Sequence, residues 1–194
     1  MSLPDQTKYS KDQLLWEQMR SGDEQALADI FKQYYAMLYD YGMKFSNQPE
    51  LVKDSIQEVF AYLWEKRETI SKVNSVPAYL LVSMRRQLLK AVKRQQRIQD
   101  TYQEFNLNNS DNNFSVEDLL IMDEEIAAEK KLVKQAFDKI PTRMREALYL
   151  KTYSGLSYKE ISLIMHINSQ VARNYVSEAF RRLRLILAEA SSIY

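Results

Sequence analysis

Apolar residues recur at three- and four-residue steps through much of the chain, and that period predicts helices. Over residues 23–45 the recurring positions are Leu27, Ile30, Phe31, Tyr34, Tyr35 and Leu38, and residues 10–20 carry a shorter run of the same kind. Pro49, Pro77 and Pro141 each stand just ahead of a further periodic stretch: ELVKDSIQEVFAYLWEKR, AYLLVSMRRQLLKAVKRQQR and TRMREALYLKTYS. Proline costs little at such places, because the N–H it lacks is unsatisfied in a first helical turn anyway. Four helices are therefore expected up to about residue 97. Residues 98–122, with NLNNSDNNFS at their centre, are polar and aperiodic, too poor in apolar groups to offset the ordering of the chain. The expected fold class is all-α. Two small helical domains, 1–97 and 123–194, are joined by a flexible acidic linker over 98–122, and the second domain carries a helix-turn-helix.

The helix-turn-helix expectation rests on SYKEISLIMHINSQVARNYV, residues 157–176. Ser157 and Glu160 have the spacing of a capping box, in which hydroxyl and carboxylate satisfy each other's free backbone N–H groups. Ile161, Ile164 and Met165 then share one apolar face. Past a tight turn, Asn168 or Ser169 can cap a longer helix with apolar positions Ala172, Val176, Ala179, Phe180, Leu183 and Leu187. Its other side carries Ser169, Gln170, Arg173, Asn174, Ser177, Arg181 and Arg184. Arg173 suits a guanine edge, Gln170 or Asn174 an adenine edge, and Arg181 and Arg184 suit phosphates. A capped helix, a tight turn and a polar-faced second helix is how a major-groove reader is built. An ordinary helical hairpin with a solvated face has the same pattern. His166, the only histidine, falls in the turn, where histidine is among the residues enriched at positive φ. With no second His and no Cys, neither a metal site nor histidine acid–base chemistry is expected.

Charge sharpens this reading once it is divided along the chain. The net charge is only +1, but residues 79–97 hold six basic groups and no acid, residues 98–129 hold nine acids and no Lys or Arg, and residues 139–194 hold nine basic groups against four acidic. Two basic blocks flanking an acidic tract point to nucleic acid, although a single charge run is often just a solvated face. The absence of cysteine excludes disulfides, thiolate metal sites and a cysteine nucleophile. No apolar run near ~18 residues is present, so no membrane insertion is expected, and the protein is expected to be cytoplasmic.

In DSIQEVFAYLWEKR, Val52, Ile56, Val59 and Leu63 form a core stripe. Asp54, Gln57, Glu58, Ala61 and Glu65 face away, flanked by Phe60 and Trp64. An acidic patch edged by aromatics suits a basic protein surface, where Trp is a favoured anchor; Phe60 and Trp64 are equally readable as core. After Pro77, Leu80, Leu81, Met84, Leu88 and Ala91 form the inner side, and Arg86, Lys90, Lys93 and Arg97 recur on the outer side as a ridge suited to phosphates.

These stretches resemble bacterial RNA polymerase sigma factors of the sigma-70 family. DSIQEVFAYLWEKR is similar to the core-polymerase-binding helix and VPAYLLVSMRRQLLKAVKR to the promoter-recognition helix that follows it. IPTRMREALYLKTYSGLSYKEISLIMHINSQVARNYVSEAFRRLR resembles the carboxy-terminal helix-turn-helix. Two domains with none between them match the extracytoplasmic-function group. The resemblance implies that Asp54, Gln57, Glu58, Phe60, Leu63 and Trp64 dock on the polymerase, and that residues 66–79 form the loop and helix start capturing a flipped base of the minus-ten element. It places Arg86, Lys90, Lys93 and Arg94 beside that element, and Ser169, Gln170, Arg173, Asn174, Ser177 and Arg181 on the minus-thirty-five element. Family members commonly have Gly where His166 stands, Thr-Val at Val171-Ala172, and a basic residue at Tyr175.

The implied function is a transcription initiation factor that binds core RNA polymerase, directs promoter recognition and melting, has no catalysis or cofactor of its own, and takes no small-molecule substrate. Its implied partners are core RNA polymerase, promoter DNA and an anti-sigma factor. Two other readings fit the residues: a stand-alone helix-turn-helix regulator whose first domain dimerises or senses a ligand, and a helical adaptor without DNA function.

Overall fold

The computed structural model describes residues 6–102 and 136–191, with side chains over 11–94 and 136–188. Every regular element among them is helical: α1 (Gln6–Arg20), α2 (Glu24–Phe45), α3 (Pro49–Glu65), α4 (Val76–Tyr102), α5 (Thr142–Thr152), α6 (Tyr158–Met165) and α7 (Ser169–Ser191). They form two compact units, one built from α1 to α4 and the other from α5 to α7. Pro49 opens α3, Pro77 lies in the first turn of α4, and Pro141 caps α5, as the missing proline N–H allows.

In the first unit α3 packs along α4, and the shared core contains Val52, Ile56, Leu63, Leu80, Leu81, Met84 and Leu88, all fully buried. Trp16 and Met19 of α1 and Ile30, Leu38 and Tyr41 of α2 complete it. Helix α2 comes close to its neighbours at Gly42. A β-carbon there would stand 2.5 Å from Val52 Cγ1 and 2.8 Å from Met84 Cε, so glycine is what lets α2 lie this near its neighbours. Helix α4 continues to Tyr102, past residue 97 where the first domain was expected to end. The rest of the expected linker lies outside the described residues.

The second unit is built on α7, which packs against both α5 and α6. Its core holds Ile140, Ala147, Leu150, Ile161, Ile164, Met165, Ala172, Val176 and Ala179. The apolar stripe of α6 is buried as its spacing requires. The stripe expected on α7 is narrower than the sequence suggests, because Phe180 turns outward and is 41% exposed while its neighbour Ala179 takes the inner position.

Candidate nucleic-acid interface

A helix that reads base edges must be firmly seated, and its polar face must not be neutralised already. The joint between α6 and α7 meets the first condition. Ser157 Oγ accepts from the Glu160 N–H at 3.3 Å and Glu160 Oε2 accepts from the Ser157 N–H at 2.8 Å, so the capping box is formed. At the other end of α6, His166 has φ 52° and ψ 51°, the left-handed conformation, and the next N–H, of Ile167, donates to the Ser162 carbonyl at 3.0 Å. Arg143 of α5 donates to the Met165 carbonyl at 3.1 Å, placing a cation at the negative end of α6. Of the two capping candidates for α7, Asn168 takes the role, its Oδ1 accepting from the Val171 N–H at 2.7 Å. Ser169 instead bonds Ser162 Oγ at 3.3 Å, tying α7 to α6.

The outer face of α7 exposes Ser169, Gln170, Arg173, Asn174, Ser177, Arg181 and Arg184, all of the residues expected there. Gln170 Nε2 donates to Asn174 Oδ1 at 3.0 Å. The pair is left with Gln170 Oε1 as an acceptor and Asn174 Nδ2 as a donor, a complement to the N6 donor and N7 acceptor of adenine. The Arg173 guanidinium lies 4.9 Å from the centre of the Tyr158 ring.

Arg181 is different. It donates from Nε and Nη2 to the two Glu178 carboxylate oxygens, each at 2.7 Å, and Arg182 Nε donates to the same carboxylate at 2.8 Å. Those hydrogen bonds hold the Glu178 carboxyl down to about 2, well below the ordinary glutamate value. The polar face of α7 thus has one acid beside it. Its signal was present, since Glu178 precedes Arg181 by three positions and Arg182 by four.

In the first unit, Asp54, Gln57 and Glu58 are exposed on α3. Trp64 is half-exposed, with the Arg67 guanidinium 4.4 Å above its ring and Arg67 Nη1 donating to its carbonyl at 2.8 Å. Leu63, read as core from its spacing, and Phe60, readable as core or anchor, are 0% and 6% exposed, so the side chains that the resemblance implies as polymerase contacts lie inward. Phe60 meets Phe31 of α2 edge to face at 5.0 Å. These two residues hold α3 in place, and only Trp64 of the three apolar candidates shows surface.

Arg86, Lys90, Lys93 and Arg94 are exposed along α4, and the Arg97 side chain lies outside the described residues. A groove of about 390 Å³ between α3 and α4 has Glu50, Asp54 and Glu58 on one side and Lys90 and Arg94 on the other. The acidic patch and the basic ridge, separate in sequence, therefore share an edge. Glu50 is paired with Lys53 at 2.8 Å, which raises the lysine pKa above its ordinary value.

The loop between α3 and α4 is held by α1, which sequence spacing did not reveal. Arg20 Nε donates to the Ile70 carbonyl at 2.6 Å and Trp16 Nε1 to the Ser71 carbonyl at 3.3 Å. The Trp16 ring also meets Tyr79 edge to face at 4.9 Å, and Ile70 is buried. The loop is a braced shelf at the start of α4. Among the described residues no cluster of three His, Cys, Asp or Glu is placed to hold a metal ion, and no helix is long and apolar enough to cross a membrane.

Comparison with known proteins follows the division into two units. The sigma-70 region 2 family matches residues 30–98 and the sigma-70, region 4 family matches residues 130–183. The structure of CnrH in complex with the cytosolic domain of CnrY is similar with a TM-score of 0.62 at 17% identity, over 92% of this chain and 97% of that one. The sigma factor RpoE from Bartonella quintana, in complex with the anti-sigma factor NepR, is similar with a TM-score of 0.58 at 19% identity, over 81% of this chain and 94% of that one. At such identities the likeness is one of fold. A comparison with curated protein sequences gave no significant match.

Proposed function

We infer the action of this chain from its family: it belongs to the sigma-70 family of transcription initiation factors and is of the extracytoplasmic-function type. It binds core RNA polymerase and directs promoter recognition. The observation that carries this reading is the presence of both family regions in one chain, in order, the second built as a capped helix-turn-helix with an exposed polar face. A stand-alone regulator is not favoured, because the first unit matches a family region instead of a dimerisation or sensing domain.

The residues proposed for each contact follow from exposure and chemistry. Asp54, Gln57, Glu58 and Trp64 present an acidic surface with an aromatic anchor to the polymerase, and Phe60 and Leu63 support it from within. Arg86, Lys90, Lys93 and Arg94, with Arg97 added from the charge pattern of the sequence alone, track phosphates beside the downstream promoter element. Ser169, Gln170, Arg173, Asn174, Ser177 and Arg181 face the upstream element, with Arg173 and the Gln170–Asn174 pair on base edges. Residues 66–79, the loop braced by Trp16 and Arg20 together with the start of α4, are the proposed receiver of the base that leaves the stack. Unstacking costs a few kcal/mol, so a pre-formed shelf lowers what polymerase contacts must supply for melting.

The chain acts without catalysis of its own, in the cytoplasm, and an anti-sigma protein keeps it inactive by covering these surfaces. That partner is supported by the fold shared with RpoE and CnrH, whose structures are complexes with NepR and with the cytosolic domain of CnrY. In-vitro transcription tests the whole reading. Core polymerase is expected to initiate at specific promoters only when this protein is added. Sequence-specific DNA binding that core polymerase does not alter would overturn it in favour of a regulator.

A further inference from the structure

Three helices of the second unit converge on one ring. Tyr158 is the first residue of α6 and is half-buried. The Arg173 guanidinium of α7 lies 4.9 Å from its centre and the Lys151 ammonium of α5 lies 5.0 Å from it. Lys151 is itself fixed, since its Nζ donates to the Leu156 carbonyl at 3.0 Å. A cation over an aromatic face is attracted by the ring quadrupole. Arginine on an exposed helix face otherwise samples many rotamers, and a bidentate contact to a base needs the planar fork in a single orientation.

We propose that Tyr158 is a positioning residue for promoter choice: its ring holds the Arg173 guanidinium in the pose that reads a base, and Lys151 and the α6 cap hold the ring. This rests on the reading of α7 as the helix that faces the upstream promoter element. It assigns part of that helix's specificity to α6, a helix that on the bare helix-turn-helix pattern only supports it. The ring is the working part and the hydroxyl is not, because the stacking uses the aromatic face. Discrimination gained in this way is modest, about two- to five-fold at one base pair, the worth of an exposed cation–π contact.

The test uses the full chain with core polymerase and a pool of promoter duplexes randomised across the upstream element. Base preference is read after selection for wild type, Tyr158→Phe, Tyr158→Leu, Arg173→Ala and the Tyr158→Leu/Arg173→Ala double variant. Arg173→Ala identifies the position that Arg173 reads. Tyr158→Leu is expected to flatten preference at that position by about two- to five-fold and nowhere else. Tyr158→Phe should match wild type, and the double variant should match Arg173→Ala. Loss in Tyr158→Phe, equal loss at every position, or a further loss in the double variant would each overturn the proposal. An NMR comparison of the free proteins guards against a folding artefact. The ring-current displacement of the Arg173 side-chain protons should vanish in Tyr158→Leu with the remaining spectrum preserved, and unchanged Arg173 shifts would also overturn the proposal. A wild-type holoenzyme with no upstream preference would instead refute the assignment of α7, on which the proposal stands.

Discussion

Glu178 holds Arg181 in a bidentate grip, with two hydrogen bonds of 2.7 Å between guanidinium and carboxylate. The same carboxylate takes Arg182 at 2.8 Å, so one acid engages two of the cations near the proposed DNA face and offsets one of their charges before any DNA arrives. Replacing Glu178 by Gln is therefore expected to tighten DNA binding. The plot of log affinity against log salt should steepen by about 1–2, as up to two more guanidiniums become free to displace counterions. Unchanged affinity and slope would mean that neither arginine reaches a phosphate.

The same grip has a pH signature. The Glu178 carboxyl titrates at about 2 in the folded chain, against 4.5 for an ordinary glutamate, because Arg181 and Arg182 bond its charged form. Its folded value is depressed, so its contribution to stability is complete above the unfolded value and is lost as pH falls from about 4.5 through about 2. An NMR titration of the Glu178 side chain should show the low midpoint in wild type, and Arg181→Ala should move it upward.

His166 occupies the left-handed region at φ 52° and its side chain is exposed. Glycine adopts that conformation without the β-carbon penalty of about 1–2 kcal/mol. It also enlarges the freedom of the unfolded chain, which offsets about 0.4–1 kcal/mol of the gain. His166→Gly should leave stability unchanged or raise it by up to about 1.6 kcal/mol, and His166→Val should lower it. Denaturant unfolding measures both, and promoter choice should be unaffected by the glycine variant.

Gly42→Ala probes the close packing of α2 on its neighbours in the first unit. The added methyl meets Val52 Cγ1 at 2.5 Å and Met84 Cε at 2.8 Å. Methionine can swing aside, but valine is stiff at χ1. Overpacking costs about 1–3 kcal/mol, and alanine recovers about 1 kcal/mol of helix propensity. A net loss of up to about 2 kcal/mol is expected in urea unfolding, and a gain would show that the helices sit further apart.

Phe60 and Trp64, four positions apart on α3, should separate stability from docking. Phe60 is buried against Phe31, so Phe60→Ala is expected to cost about 3–5 kcal/mol of folding stability. Trp64 keeps a surface, under Arg67. Trp64→Ala should cost less stability than Phe60→Ala, yet weaken binding to core polymerase by about 2 kcal/mol or more. A calorimetric melt read beside a polymerase-binding assay distinguishes the two. Normal binding by a folded Trp64→Ala chain would remove Trp64 from the interface.

What could be read from the sequence was what depends on neighbours a few positions away. The openings at Pro49, Pro77 and Pro141, the Ser157–Glu160 box, the left-handed His166 and the polar face from Ser169 to Arg181 are all set within a turn or two of helix. The repeat of apolar positions likewise announced the helices of both units. Even Glu178, overlooked beside Arg181, had its spacing in plain view.

The tertiary structure alone decided which side of a borderline residue faces inward and which distant groups meet. Phe60, readable either way, went to the core and Phe180 to the surface because burial depends on what packs opposite, which a helical period does not encode. Arg20 on Ile70, Trp16 on Ser71, Tyr158 under Arg173 and the shared groove of Asp54 and Lys90 join residues far apart in the chain. By itself the sequence determined two helical units and the chemistry each displays. Packing determined which of those side chains remain free to act, because contacts across the chain exist only after the helices are assembled.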